Sequence, residues 1–330
     1  MFDWLALDNS PAHSTVRGLR GAADAMPRAT ELGGIVIQVE NLFKHYARVK
    51  AVDGVSFFVG SGEIFGLLGP NGAGKTTIIR TLMDIIKPDQ GTVQIMGQPV
   101  SQASKARIGY LPEERGLYQN YRLLECLTYL GALKGMARAD ARQRAMGLLE
   151  RAGLEEYATR KVKELSKGMT QKAQFVAAIV HDPEMLIMDE PFQGLDPVNT
   201  ALLKTILQEE QARGRTIILS THNMNQVEEM CDRILLIDHG QAVLYGPLDE
   251  IKDRYAEHAV LLECDALPED LAGVQRAERH DRSYELILES DATPKSILRQ
   301  LVDADVTVER FEVSTPPLEE IFIDVVGGTR

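Results

Sequence analysis

Short apolar runs alternate with helically spaced apolar residues from Ile35 to about residue 255. This alternation is typical of an α/β fold with a largely parallel sheet. The runs that predict strands are 35–39, 51–58, 64–68, 91–96, 108–111, 185–188, 216–219 and 233–237. Between about 123 and 152 the leucines instead recur at helical spacing, which predicts an all-helical insertion that divides the strand series in two.

The pattern changes after residue 255. Segments 259–264, 283–289 and 306–313 read as amphipathic strands, while 294–301 and 318–325 have helical spacing. A small α+β domain with one helix-covered sheet face has this pattern. We therefore predict a first domain at 35–256, with a helical subdomain at about 115–168, and an accessory α+β domain at 257–330. Residues 1–34 mix small, basic and polar residues without periodicity and predict a flexible arm.

Composition narrows the class of protein. Of 330 residues, 44% are hydrophobic and 25% are charged, which is ordinary for a soluble globular chain. No apolar run reaches the roughly 18 residues of a membrane span. The net charge of −12 opposes electrostatic binding of nucleic acid over a broad surface, so no nucleic-acid partner is expected. The three cysteines lie far apart without Cys-x-x-Cys spacing, which favours a reducing, cytoplasmic setting.

A glycine-rich segment joins the strand predicted at 64–68 to a helical run. Glycines let successive backbone N–H groups converge on a phosphate, while a lysine reaches the β and γ phosphates and a threonine hydroxyl ligates Mg²⁺. The segment therefore predicts a P-loop that binds a nucleoside triphosphate with Mg²⁺. Its residues are Gly69, Pro70, Asn71, Gly72, Ala73, Gly74, Lys75, Thr76 and Thr77.

Two carboxylates, Asp189 and Glu190, directly follow the apolar run at 185–188. In a P-loop protein this position predicts that Asp189 holds Mg²⁺ and that Glu190 polarises the water that attacks the γ-phosphate. A strand exit with solvated acids is the alternative interpretation, which the P-loop context disfavours.

The order of five motifs resembles that of the ABC ATPases over about residues 35–255. After the P-loop and the helical insert come Leu165-Ser-Lys-Gly-Met169, Asp189-Glu190, Gly194-Leu-Asp196 and Thr221-His222. The resemblance implies a P-loop NTPase fold of the α/β class, an ABC ATPase domain with an α-helical subdomain insertion, followed here by the small C-terminal α+β domain. ATP and Mg²⁺ are the cofactors it implies.

The resemblance also implies roles for residues outside the P-loop. Ser166 and Gly168 would contact ATP held by a second subunit, so that a head-to-tail dimer sandwiches two ATP molecules. Asp196 would communicate across that dimer, His222 would contact the γ-phosphate, and Tyr46 would stack on adenine, with Phe43 as the competing aromatic residue. The plain alternatives are a helix cap for Ser166, a turn for Asp196, a loop residue for His222 and core packing for Tyr46.

Three positions depart from the family pattern. Glu113 takes the place of the Q-loop glutamine, and Lys167 and Met169 replace Gly and Gln in the signature. A carboxylate oxygen can ligate Mg²⁺ as an amide oxygen does, but it adds negative charge beside a polyphosphate. Because the expected catalytic residues are retained, ATP hydrolysis is expected. These residues are Lys75, Glu190 and His222, with Thr76, Asp189 and Glu113 as the expected metal ligands.

These departures, together with the segment 317–327, resemble a bacterial exporter subgroup that includes sodium-efflux and drug-resistance ATPases. The resemblance implies an ATP-hydrolysing subunit that powers a separate multispanning permease at the cytoplasmic face of the inner membrane. It also implies a homodimer or a pair with a paralogous ATPase, in which the C-terminal domain regulates or buttresses the dimer or is purely structural. The alternatives are a soluble, non-transport ABC ATPase and a nucleotide-binding module without turnover.

Overall fold

The computed structural model describes residues 34–114, 116–255, 259–268, 271–280, 283–289, 292–314 and 317–327. The flexible arm predicted at 1–34 therefore lies, apart from Gly34, outside the described residues. Among the residues described, no helix combines the length and the apolar character needed to cross a bilayer.

The chain forms two compact units that interleave in sequence. Among the described residues, the first unit comprises those up to His222 together with Leu235–Val243, and the second comprises Asn223–Ile234 together with those from Leu244 onward. Because the chain returns to the first unit after residue 234, this division differs from a single cut at residue 256.

The strands in the described residues are β1 (Ile35–Tyr46), β2 (Val49–Gly60), β3 (Ile64–Leu68), β4 (Gln90–Ile95), β5 (Gln98–Pro99), β6 (Ile108–Leu111), β7 (Met185–Asp189), β8 (Thr216–Thr221), β9 (Arg233–Asp238), β10 (Gln241–Pro247), β11 (Ala259–Cys264), β12 (Val274–His280), β13 (Ser283–Leu288) and β14 (Val308–Ser314). The α-helices are α1 (Lys75–Leu82), α2 (Gln102–Ala106), α3 (Leu123–Leu133), α4 (Arg138–Arg151), α5 (Lys167–Ile179), α6 (Pro197–Ala212), α7 (Met224–Met230), α8 (Leu248–Tyr255), α9 (Pro294–Asp303) and α10 (Leu318–Gly327). Short 3₁₀ turns at Glu155–Tyr157 and Val162–Glu164 complete the helical insertion.

The early strands do not join the parallel sheet, which corrects the sequence-based expectation. They form a separate sheet of order β2-β1-β4-β5, in which β1 pairs antiparallel with both β2 and β4. Only Ala47 and Arg48 separate β1 from β2. A connection of two residues can join only antiparallel neighbours, because a parallel pair needs a crossover of a dozen residues or more.

The second sheet of this part of the chain places the predicted motifs side by side. Its order is β10-β9-β3-β8-β7-β6, and β3–β8, β8–β7 and β7–β6 are parallel pairs. Every residue of β3, β7 and β8 is buried, as expected for strands covered on both faces. The segments that follow these three strands therefore meet at one edge, where ligands bind in open α/β sheets.

The helical insertion is present. Helices α3, α4 and α5 pack against one another. Helix α5 begins at Lys167, because the Ser166 hydroxyl accepts a hydrogen bond from the Met169 N–H and caps its first turn. Gly168 consequently lies within the first turn of α5.

The C-terminal chain folds around an antiparallel sheet of order β12-β13-β11-β14. Helix α9 contributes Ile297 and Leu301 to its core, whose strand residues are Val260, Leu262, Leu286 and Leu288. Strand β12 was not expected from the sequence. Its residues, Val-Gln-Arg-Ala-Glu-Arg-His, are mostly polar, as an edge strand permits.

His181 follows α5 and gives the fold a pH-dependent component of stability. Its Nε2 atom lies 3.1 Å from the Ile108 carbonyl oxygen. Burial, with a smaller contribution from the nearby Lys134, lowers the pKa of His181 from 6.5 to about 4. Between these two pKa values the unfolded chain binds a proton that the folded protein does not bind. The contribution of His181 to the unfolding free energy is therefore fully present above pH 6.5 and is lost as the pH falls toward 4.

We expect His181→Gln to remove this dependence. Between pH 6.5 and pH 4, wild type should lose about 2 kcal/mol more unfolding free energy than the variant, after screening of the partly exposed ring. Urea unfolding of both proteins at several pH values measures the difference. Parallel stability curves for the two proteins would contradict the assignment.

Candidate nucleotide site

A cavity of about 220 Å³ lies at the edge of the parallel sheet where the predicted motifs meet. Most of its lining comes from the P-loop, and the remainder comes from β2, from the segment that follows β6 and from the end of β7 with the residue after it. The lining residues are Ala51, Asn71, Gly72, Gly74, Lys75, Thr76, Thr77, Glu113, Asp189 and Glu190. Groups that can donate hydrogen bonds to phosphates, hydroxyl groups and carboxylates thus line the same cavity, as the sequence predicts.

The P-loop backbone requires glycine at two positions. Gly69 has a φ of 146°, and a Cβ atom there would lie 2.1 Å from the Ile237 carbonyl oxygen. Gly74 has a φ of 116°, and its Cβ would lie 2.3 Å from the Ala51 oxygen. Both positions combine a conformation that disfavours L side chains with a close backbone approach. Between them the Ala73 N–H donates to the Pro70 oxygen at 3.1 Å, which closes the loop.

Lys75, the first residue of α1, is buried with its ammonium group held inside the loop. Its Nζ donates to the carbonyl oxygens of Gly69 at 2.7 Å and Pro70 at 3.2 Å. Burial lowers the pKa of Lys75, and the carboxylates of Glu190, Asp189 and Glu113 oppose that shift. The cation is therefore balanced by three acids across the cavity.

Asp189 is the last residue of β7 and is 1% exposed. Burial raises its pKa, while a hydrogen bond from Ser220 lowers it, and Glu113 raises it again. The Ser220 hydroxyl donates to Oδ1 at 2.7 Å. The other carboxylate oxygen, Oδ2, is buried and has no hydrogen-bond partner among the described residues. One oxygen of Asp189 is thus held in place and the other is left to accept a ligand.

Glu190 and His222 form a hydrogen-bonded pair. His222 Nδ1 lies 2.8 Å from Glu190 Oε1, and Thr221 Oγ1 lies 3.4 Å from Oε2. The Glu190 side chain is mostly buried, whereas the His222 ring is 53% exposed. Glu190 also has a φ of 50°, a left-handed conformation that is uncommon for residues other than glycine and is concentrated at functional sites. The pair therefore presents a fixed carboxylate with a histidine reaching toward solvent.

Eight predicted residues lie outside the cavity lining, namely Gly69, Pro70 and Ala73 of the P-loop, His222, Tyr46, Ser166, Gly168 and Asp196. Tyr46 ends β1 and is 45% exposed, with Lys44 Nζ 5.5 Å from its ring centroid. Ser166 caps α5, and Asp196 caps α6 by accepting from the Asn199 N–H at 2.8 Å. A Cβ atom at Gly168 would lie 3.7 Å from the Leu195 side chain and 3.9 Å from the Gly194 oxygen. Ser166 and Asp196 thus both act as helix caps within the chain.

Sequence reasoning missed three residues that shape the site. Ala51 lines the cavity, Ser220 holds Asp189, and the Gln171 side-chain amide donates to the Pro191 oxygen at 2.9 Å. Ser220 could have been identified, because it immediately precedes Thr221-His222 at the end of a strand. Ala51 and Gln171 carry no local signal, since their roles depend on chain packing.

Two family models match the chain. Residues 52–193 match the family described as ABC transporter. Residues 246–326 match the family described as ATP-binding protein DrrA1-3-like, C-terminal domain. The first match contains the P-loop and Asp189-Glu190, and the second contains most of the C-terminal segments.

Curated relatives match over nearly the whole chain. An uncharacterized ABC transporter ATP-binding protein, YhaQ of Bacillus subtilis, is 38% identical over 89% of this chain and 99% of its own. The Nod factor export ATP-binding protein I of a Rhizobium species is 35% identical over 89% of this chain and 97% of its own. The linearmycin resistance ATP-binding protein LnrL of Bacillus subtilis is 32% identical over 89% of this chain and 99% of its own.

The fold also matches solved structures. The ATP-binding subunit of an ABC transporter superposes with a TM-score of 0.62 at 32% identity, covering 67% of this chain and 93% of that one. Together with the motif geometry and the full-length relatives, this similarity is decisive. The chain belongs to the ATP-binding subunits of ABC transporters, whose cassette binds and hydrolyses ATP.

Proposed function

We propose that this ATPase powers export through a separate multispanning permease, driven by ATP-dependent closure of a dimer. The proposal depends on one observation: the P-loop, Asp189 and Glu190 line one cavity, and Glu190 is hydrogen-bonded to His222. Export is supported by the relatives named for Nod factor export and linearmycin resistance, and by the DrrA1-3-like match at the C-terminus.

The P-loop binds the triphosphate in this proposal. Gly72, Gly74, Thr76 and Thr77 line the cavity where backbone N–H groups and the start of α1 favour an anion. Lys75 Nζ, now bound to loop carbonyl oxygens, turns to the β and γ phosphates when they enter. The partial positive end of the helix and the lysine then offset the charge of the three carboxylates.

The site also fits Mg²⁺. The expected metal ligands Thr76, Asp189 and Glu113 offer oxygen atoms, which suit this hard cation. The buried Oδ2 of Asp189 lacks a protein partner among the described residues. Thr76 and Glu113 share the cavity with Asp189. The described residues contain no cluster of three His, Cys, Asp or Glu side chains that could cage a metal alone. Mg²⁺ commonly binds through one or two carboxylates with water and substrate phosphates, and it would neutralise charge on the β and γ phosphates.

Glu190 is the general base of the proposed reaction. Its carboxylate accepts a proton from the water that attacks the γ-phosphorus, and the bond from that phosphorus to the β-bridging oxygen breaks. With its proton on Nδ1, His222 donates to Glu190 Oε1 and fixes the carboxylate. A second proton, on Nε2 of the half-exposed ring, would let the same histidine donate to an oxygen of the γ-phosphate, because a bare Nε2 is an acceptor.

A second subunit completes the site in this proposal. Ser166 and Asp196 are exposed, and Gly168 is half-buried at the start of α5, so a second copy or a paralogue can reach this surface. Val198, two residues beyond Asp196, is 79% exposed, which suits an interface that covers it. Tyr46 is exposed enough to stack on adenine.

We further propose an ATPase domain at 35–256 and an accessory domain at 257–330, which the separate family matches at 52–193 and 246–326 support. In the assembled transporter the chain would lie peripherally at the cytoplasmic face of the inner membrane, held by its permease. Specificity for cargo would reside in that permease.

Purification from native membranes tests the partner. A tagged chain, isolated in mild detergent, should bring down a multispanning protein in near-equal amounts, while untagged cells processed identically should not. Recovery of the chain without a membrane protein, or with RNA or DNA retained at physiological salt, would contradict the proposal and favour a non-transport ATPase.

A further inference from the structure

The helix that follows His222 belongs to the same compact unit as the C-terminal chain. The chain passes from the first unit to the second between His222 and Asn223. Asn223 is the N-cap of α7, and its side-chain oxygen accepts from the Gln226 N–H at 3.2 Å. A single peptide bond joins His222 to this cap.

Glu228 ties α7 to two other helices of the second unit. Its Oε1 accepts from the Leu318 N–H at 2.9 Å, and from Lys252 Nζ at 2.9 Å. Leu318 begins α10, and Lys252 lies on α8. The carboxylate therefore caps one of the free N–H groups at the start of α10 and places negative charge where a helix favours it. The Glu228 and Lys252 side chains are only 21% and 24% exposed, so solvent screens the pair weakly.

Helix α7 depends on this packing. It has seven residues, and isolated helices shorter than about 12 residues are marginal in water. Its Val227 side chain is fully buried, and α10, with Leu318 and Ile321 each 1% exposed, contacts both α7 and α8. The position of α7 is thus set by the C-terminal helix and by the carboxylate that joins them.

We propose that Glu228 is a positioning residue for ATP hydrolysis, through which the C-terminal helix α10 sets the position of His222 against Glu190. The proposal rests on the proposed roles of His222 and Glu190 in hydrolysis. On this proposal the C-terminal domain is linked to the catalytic pair. A partner that shifts α10 would shift His222 without itself contacting the nucleotide.

Steady-state kinetics of the purified full-length chain, combined in a double-mutant cycle, test the link. Glu228→Ala should lower kcat for ATP about tenfold, with the Kd for ATP unchanged within about twofold. Glu228→Gln keeps an oxygen acceptor for the Leu318 N–H and should retain most activity. Glu250→Ala is the matched control, because this residue of α8 pairs with Arg254 at the surface and, in the part of the chain that the structure describes, has no other ion pair; its side chain is 63% exposed.

The cycle with His222→Ala separates positioning from general damage. Once the histidine is gone, Glu228→Ala should lower kcat no further, because both changes act through the same group. Effects of the two changes that multiply, or an unchanged kcat in Glu228→Ala, would overturn the proposal. If Glu228→Ala does not yield folded protein, Lys252→Met, which removes only the ion pair, should lower kcat about threefold with the same loss of additivity. A normal kcat in His222→Ala itself would instead refute the proposed function of the histidine.

Discussion

Replacing Glu190 with glutamine is expected to lower kcat for ATP hydrolysis about a thousandfold while leaving ATP affinity within about threefold of wild type. Glutamine preserves the size of the side chain and an oxygen that can accept from His222, but it cannot take up the proton of the attacking water. The carboxylate is mostly buried and held 2.8 Å from His222 Nδ1, so no solvated acid can replace it. The loss should therefore fall on the chemical step rather than on binding.

Phosphate release measured with saturating ATP and Mg²⁺ gives kcat, and a fluorescent nucleotide titration gives the Kd. Glu184→Gln is the matched control. Glu184 is also a glutamate near strand β7, but its exposed carboxylate pairs with Arg107 and does not line the cavity. Turnover within tenfold of wild type in Glu190→Gln would show that another group acts as the base.

Replacing Lys75 with alanine is expected to weaken ATP binding about a hundredfold. The substitution removes a buried cation that would otherwise form charge-assisted hydrogen bonds to the phosphates. It also leaves the acids Glu113, Asp189 and Glu190 facing the polyphosphate without the cation that now balances them. Both effects oppose the bound anion, so the Kd should rise in parallel with the loss of kcat/KM.

Isothermal titration with ATP and Mg²⁺ measures this change, and circular dichroism checks that the variant is folded. Lys87→Ala is the control, because Lys87 carries the same charge five residues beyond α1 but is 80% exposed and pairs with Asp84. An unchanged Kd in Lys75→Ala would mean that the P-loop does not receive the triphosphate.

Much of the site could be predicted because its parts directly follow strands. Gly69–Lys75 follows β3, Asp189-Glu190 ends β7, and His222 follows β8, so apolar runs locate each motif. Parallel pairing of these strands then brings the motifs together. Local pattern and one rule of sheet topology were enough for these residues.

Other features depend on pairings that no local pattern contains. Apolar runs 35–39 and 51–58 have the character of strands, but only the two-residue connection after Tyr46 reveals that they pair antiparallel, outside the parallel sheet. Gln171 and Glu228 are ordinary polar residues of helices, and their importance arises from carbonyl and N–H groups supplied by distant segments. Only folding of the chain brings these partner groups together.

In the proposed dimer the P-loop of one subunit and Ser166 of another enclose ATP together. The mass of Glu190→Gln in solution, measured by light scattering on a size-exclusion column with and without ATP, tests this arrangement most directly. We expect a monomer without nucleotide and a stable dimer with ATP, because the trapped triphosphate cannot be cleaved. A species that binds ATP stoichiometrically yet keeps the monomer mass would contradict it.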